Sequence, residues 1–318
     1  MEPSLEVGAS RRRWLRALLR ATVVLAIAAV VLTGVWVALT DKVSRARTYA
    51  AVCLSWETHW PFTRGVYLPL RLLPVLNALD IVTPVRAEIE PGVNLMLNPA
   101  DVVDMRMLAT GFWNREVWDW VAAHLSPGAT FIDVGAHIGT FTIRAAKIVG
   151  PAGRVVAVEP NPITAQMLRD NVAASNWTRV VHVREAACAE NPGRMTLFAG
   201  SEMNSGVASL SRTNVVDHGS DGRVSFDVEV LPLDHIVENG GLSRIDVIKI
   251  DTEGAETVVL RGARKSIRRF RPVIVLETLD SQLVNMGSST AELEALLREL
   301  GYSKSRQGLT DAEWVPMK

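Results

Sequence analysis

Cysteine is scarce in this 318-residue chain, with Cys53 and Cys188 the only two. They fall in different regions, which argues against a disulfide framework, and neither has a Cys or His nearby at metal-ligand spacing. No pair of histidines or acids shows zinc spacing either, so a metal-dependent hydrolase is not expected and no metal ligands are assigned. Net charge is lacking too: 34 acidic residues balance 34 basic ones. That balance removes any general attraction to nucleic acid, and no nucleic-acid partner is expected. Internal repeats and low-complexity tracts are missing as well. What is present, 48% apolar and 21% charged residues, fits a folded chain. Its length allows one core of roughly 150–200 residues plus something extra.

Composition changes sharply near the start. Residues 21–40 read ATVVLAIAAVVLTGVWVALT, without a charge. As a helix they would extend about 30 Å, the thickness of a bilayer's hydrocarbon core. The expectation is a transmembrane helix, preferred over a cleaved signal or a buried helix, and hence a single-pass membrane protein with the membrane as a partner. Arg11, Arg12, Arg13, Arg16 and Arg20 lie before this segment, and Lys42, Arg45 and Arg47 after it. This bias favours a cytoplasmic N-terminus. SRRRWLR at 10–16 also resembles a twin-arginine export signal. The chain divides accordingly into a basic tail (1–20), the hydrophobic segment (21–40), a linker or covering segment (41–100) and a main domain (101–318).

From residue 101 onward, strands and helices alternate. Residues 116–125 predict a helix, 130–134 a strand, 139–148 a helix, 154–158 a strand and 162–174 a helix. Strands follow at 180–184 and in the segments MTLF and VSFDVEV, then at 246–250. A helix at 255–267, a strand at 273–277 and a last helix at 291–300 complete the pattern. Short apolar strands between helices predict an α/β fold with a mostly parallel sheet covered on both faces. Ligands in such folds sit beyond the carboxyl ends of the strands.

Three stretches at those ends carry polar groups. In FIDVGAHIGTFT (131–142), Gly135 allows a tight turn, Gly139 allows close approach where the helix starts, and Asp133 ends the strand. A dinucleotide site would show G-x-G-x-x-G. Here the glycines are spaced G-x-x-x-G, and the preceding carboxylate suits a sulfonium and an ammonium better than a diphosphate. In VVAVEPNP (155–162), Glu159 can accept hydrogen bonds from ribose hydroxyls. In DVIKIDTEGAE (246–256), Asp251 and Glu253 leave a buried strand and are candidate general bases, although capping of the next helix is an alternative use of the segment. Glu277 ends a further strand. His137 lies within the first turn. Trp113, Asn204 and Ser205 are candidates for facing substrate.

Together these motifs resemble the FkbM-type methyltransferases, from about Gly92 to Leu300. The resemblance implies a Rossmann-like seven-stranded sheet whose last strand is antiparallel, with S-adenosylmethionine as cofactor. It implies methyl transfer to a hydroxyl oxygen of a small-molecule, sugar or lipid-linked substrate. Carried over by motif, Asp133, Gly135 and Gly139 would line the cofactor's amino-acid end, with His137 in the same turn. Glu159 would bind ribose, Glu185, Ala186 and Ala187 would approach adenine, and Asp251 and Glu253 would border the methyl-transfer region. The chain departs from the family at position 137, where asparagine is frequent. Because the cofactor is a cytosolic metabolite, the catalytic domain is expected on the cytoplasmic side, against the charge bias. Two other readings stand beside this one: an NAD-dependent oxidoreductase, and an inactive membrane-anchored scaffold of the same fold.

Overall fold

The structure, a computed structural model, describes residues 39–59, 73–78, 82–200 and 204–317, with positions 32, 35 and 36. Helices α1 (Lys42–His59) and α2 (Leu73–Ala78) precede a hairpin of β1 (Val85–Glu90) and β2 (Val93–Leu97). This hairpin packs on the main domain. Ala87, Val93 and Leu95 share one core with Ala46 and Ala50 of α1 and with Phe131. Helices α3 (Val102–Thr110) and α4 (Arg115–Ala123) follow, capped by the side chains of Asp101 and Asn114.

The expectation of a membrane-spanning helix at 21–40 is corrected. Among the described residues, no helix is long and apolar enough to cross a membrane. Residues 21–31 lie outside the described residues. The 18-residue α1 has the length but carries Lys42, Arg45 and Arg47, which a hydrocarbon interior disfavours. The single-pass assignment, the membrane partner and the membrane-referred placement of the catalytic domain are therefore withdrawn with it.

The main sheet begins with β3 (Thr130–Val134), α5 (Thr140–Val149), β4 (Arg154–Val158), α6 (Pro162–Ala174) and β5 (Val181–Arg184). After an insertion it resumes with α8 (Leu233–Asn239), β9 (Val247–Ile250), α9 (Glu256–Arg261), α10 (Arg264–Phe270) and β10 (Val273–Glu277). The insertion holds β6 (Ala187–Cys188), β7 (Gly193–Phe198), α7 (Arg212–Asp217) and β8 (Ser225–Leu231), whose strands form a separate sheet in the order β6-β8-β7. Helices α11 (Asp280–Asn285) and α12 (Thr290–Glu299) lead to β11 (Tyr302–Gln307) and β12 (Asp311–Pro316). The seven strands lie in the order β11-β12-β10-β9-β3-β4-β5. β12 runs antiparallel to both of its neighbours, and the pairs from β10 to β5 are all parallel.

The central strands read as apolar runs, interrupted by Asp133 in β3 and Lys249 in β9, because both faces are covered. Phe131, Ala157, Val247 and Val275 face a core with α4, α5 and the β1–β2 hairpin. Ile132, Val156, Ile248 and Ile274 face the opposite core, with α8 to α12. The helix expected over 255–267 is broken into α9 and α10 at Gly262, where a Cβ would lie 2.2 Å from the Ala189 carbonyl oxygen. The final hairpin had no sequence signal. In β11 only Tyr302 is buried, so this polar edge strand shows no alternation.

Candidate active site

The carboxyl ends of β3, β4, β9 and β10 open into one cleft of about 550 Å³, a size suited to a small-molecule ligand. Gly135, His137, Glu159, Ala186 and Ala187 line it. Trp113, Asn204, Ser205, Asp251, Glu253 and Glu277 complete the expected residues found there. Asp133, Gly139 and Glu185 do not line it.

The β3–α5 turn explains both glycines, though neither by an open gap for a ligand. Gly135 has φ +80°, and a Cβ there would lie 1.7 Å from the Asp251 carbonyl oxygen, so the turn rests on the end of β9. Gly139 has φ +97° and packs against Leu168, whose Cδ1 would be 2.5 Å from an added Cβ. His137 has φ +50°. Asparagine and histidine are both enriched in this left-handed region, so the departure from the family's frequent asparagine keeps the turn's backbone. Asp133 is fully buried: the Thr142 hydroxyl donates to its Oδ2 at 2.7 Å, and Lys249 Nζ lies 3.5 Å from its Oδ1.

Glu159 is 5% exposed, and each of its oxygens accepts a backbone N–H at 2.9 Å, one from His137 and one from Asn161. Burial pushes its carboxyl up to about 7, and the two N–H donors hold it down in part. Beyond it, Ala186, Ala187, Cys188, Leu197 and Leu210 supply an apolar wall. The Glu185 side chain instead pairs with Arg169 at 2.8 Å, half-exposed on the outside.

The opposite wall is acidic. Carboxylate oxygens of Asp251, Glu253 and Glu277 all lie within 4.8 Å of one another. Burial, then the charges of Asp251 and Glu256, pushes Glu253 up to about 8. Burial, then Asp251 and Glu253, pushes Glu277 up to about 11. Glu253 sits at φ +54°, held there by Ser209 Oγ and Asn214 Nδ2, which both donate to its carbonyl at 2.8 and 2.7 Å. The Gln282 amide donates to its carboxylate. No side chain caps the next helix, whose N-cap position is Ala255; Glu256 Oε1 instead ties down the loop before it, accepting from the Thr252 N–H and hydroxyl and from the Gly254 N–H. Asp251 and Glu253 are thereby left to face the cleft.

Two groups in the cleft were not singled out by sequence. Lys249, 4% exposed, lies 3.3 Å from Asp251 Oδ2 as well as near Asp133. A lone lysine inside the run VIKI was the available signal, since a buried ammonium requires partners. Asp311 comes from β12, which had no sequence signal of its own. Burial, then Asp251, raises it to about 6, and the Asn114 amide donates to its Oδ2 at 3.2 Å.

The insertion closes over one side. The Ser205 N–H donates to Asp101 Oδ2 at 2.6 Å, and Ser205 Oγ lies 3.1 Å from His137 Nε2. Asn204 lies beside it, 3.5 Å from the His218 carbonyl oxygen. Trp113 is 38% exposed at the rim, with the Arg106 guanidinium 5.8 Å from its ring centroid.

The family model described as methyltransferase FkbM domain matches residues 133–304. Methyltransferase sdnD of Sordaria araneosa is 26% identical over 216 residues, covering 61% of this chain and 80% of that protein. The 31-O-demethyl-FK506 methyltransferase FkbM of Streptomyces tacrolimicus is 28% identical over 202 residues, covering 56% of this chain and 74% of that one. The crystal structure of methyltransferase FkbM from Methylobacillus flagellatus KT overlaps 82% of this chain and 60% of its own, at 16% identity and a TM-score of 0.40.

Proposed function

The chain belongs to the FkbM methyltransferase family and is an S-adenosylmethionine-dependent methyltransferase; from that premise we propose that it methylates a hydroxyl oxygen, with Glu253 as the base. The observation that carries this reading is Glu253 itself. It is a cleft-lining carboxyl raised to about 8, which makes it a stronger proton acceptor than an ordinary glutamate. Asp251 stands beside it but is already tied to Lys249. An oxygen acceptor also agrees with the name of the Streptomyces relative, a methyltransferase of an O-demethyl compound.

The donor set fits the cofactor's chemistry. Acids dominate the cleft and suit a ligand bearing a sulfonium and an ammonium. In this reading the Gly135 turn holds the amino-acid end, Glu159 accepts from the ribose hydroxyls, and Ala186, Ala187 and Cys188 cover adenine. When bound, the cofactor supplies a methyl carbon activated by the sulfonium. The work left to the chain is alignment of the acceptor oxygen, removal of its proton by Glu253, and exclusion of water. Trp113, Asn204, Ser205 and Glu277 would border the acceptor, and the Ser205 contacts to Asp101 and His137 would hold the insertion over the site.

The test offers the purified chain S-adenosylmethionine with a tritiated methyl group and a panel of alcohols, saccharides, amines and carboxylic acids. The expected product carries label in an alkali-stable methyl ether. Label only in methylated nitrogen or in base-labile esters would overturn the hydroxyl assignment.

A further inference from the structure

A lysine in the middle of a buried strand needs a reason. Replacing a buried ion pair by apolar side chains is often neutral or stabilising, so stability alone is a poor explanation for Lys249. Its surroundings are specific. On β9 it sits directly across from Asp133 of β3 in the strand register, and Asp251 follows two residues later on the same face. Its ammonium lies 3.5 Å from Asp133 Oδ1 and 3.3 Å from Asp251 Oδ2, and donates to the Gly135 carbonyl at 3.4 Å. The Phe141 ring of α5 is 5.0 Å away. One cation therefore joins the buried end of β3, the turn that follows it and the cleft-lining acid at the end of β9.

Those parts touch elsewhere. The Gly135 Cα faces the Asp251 carbonyl so closely that a Cβ cannot be accommodated, and the Asp251 N–H donates to the Val134 carbonyl at 3.0 Å. The backbone holds the two segments together and fixes the Gly135–Ala136 peptide, whose Ala136 N–H donates to the Val158 carbonyl at 3.1 Å, but it does not aim the Asp251 carboxylate. Lys249 engages both that carboxylate and the Gly135 carbonyl. Asp133, closed off from the cleft, acts through Lys249 by holding its ammonium in place.

We propose that Lys249 is a positioning residue for the cofactor's amino-acid end, holding the Asp251 carboxylate beside the Gly135 carbonyl so that the two form a pair of acceptors for the cofactor's ammonium group. The proposal rests on the placement of the cofactor given above. It reassigns Asp133 from direct contact with the cofactor to support of Lys249. Other charged groups surround the pair: Glu253 on the β9–α9 loop, Glu277 on β10, Asp311 on β12, and His137 and Glu159 from the β3 and β4 ends. The test is therefore made at one fixed pH.

The test compares ligands on the full chain by titration calorimetry: S-adenosylmethionine, and 5′-methylthioadenosine, which shares the nucleoside but lacks the amino-acid part and the sulfonium charge; S-adenosylhomocysteine, with the amino-acid part on an uncharged sulfur, is expected to follow S-adenosylmethionine. For Lys249→Met the expected result is a loss of about tenfold in affinity for S-adenosylmethionine, with 5′-methylthioadenosine changed by less than about twofold. A merely structural lysine would weaken both ligands alike, and that result overturns the proposal. So does unchanged binding of S-adenosylmethionine. So does tighter binding, which would mark Lys249 as a competing cation. Should Lys249→Met fail to fold, the double variant Lys249→Met/Asp133→Asn, measured against Asp133→Asn alone, asks the same question with the buried charges removed together. Glu159→Ala separates the two failures. If it leaves the affinity for both ligands intact, the cofactor placement itself is wrong; if it weakens both, only the role of Lys249 is at stake.

Discussion

The two walls of the cleft are built differently. On the β3–β4 wall Glu159 has a backbone donor on each oxygen; behind it Asp133 is closed in by Thr142 and Lys249, with its Oδ1 lacking a hydrogen-bond partner. On the β9–β10 wall the carboxyls crowd one another. Glu277 Oε2 is buried without a hydrogen-bond partner, and Glu253 keeps a left-handed backbone. Glu159, with both oxygens satisfied, is preorganised to bind. A crowded wall holds protons above their usual range, which suits proton transfer. Left-handed backbone occurs on both walls, at His137 and Glu253, so it is the like-charge crowding of the second wall that a purely structural junction would avoid.

That contrast can be broken most forcefully at Glu253. With an accepted hydroxyl substrate, Glu253→Gln is expected to lower kcat by roughly 100-fold or more while leaving affinity for S-adenosylmethionine within about twofold. The base must be ionised to act. The wild-type rate should therefore rise with pH up to about 8 and fall by about tenfold per unit well below it. A rate profile flat from pH 6 to 9 would remove Glu253 from that role. The reverse pattern is expected on the other wall. Glu159→Ala should weaken S-adenosylmethionine by about tenfold or more in calorimetry, because charge-assisted hydrogen bonds are lost. Unchanged affinity in a folded variant would refute the ribose assignment.

The smallest effect is expected at Glu277. Its carboxyl is raised to about 11, so at neutral pH it carries its proton and Gln is a close mimic. Glu277→Gln should leave the rate within about threefold, read from initial velocities at pH 7.5. A drop beyond tenfold would mean that Glu277 acts as a carboxylate, and the division of labour between the two rim acids would need to be redrawn.

Most strands of the main sheet were legible because period and punctuation agree there. Residues 130–134 and 154–158 are apolar runs bounded by turn residues, and the structure places strands at those positions. The hairpin β11–β12 was illegible for the opposite reason, since an edge strand with one buried residue carries no period. At residues 21–40 composition alone carried the expectation, and residues 21–31 lie outside the described residues. An uncharged run of twenty residues has the length of a membrane span, yet among the described residues no helix meets that requirement. Glu185 belonged to a motif by position, but its side chain turns outward to Arg169, and position along a strand end does not decide which way a side chain points.

The sequence by itself determined the α/β alternation, the two-glycine turn, the acids at the strand ends and, through their combination, the methyltransferase family. These are local properties, written in spacing and residue type. Only the tertiary structure decided which acids meet. Asp251, Glu253 and Glu277 crowd together because β9 and β10 are neighbours, and Asp311 joins them because the last hairpin folds back to pair β12 with β10. Lys249 met Asp133 and the Gly135 carbonyl the same way, through the pairing of β9 with β3, while Asp251 is its near neighbour in the chain. Desolvation and much of the like-charge repulsion act between residues far apart in the chain, so a single segment does not show which groups will meet.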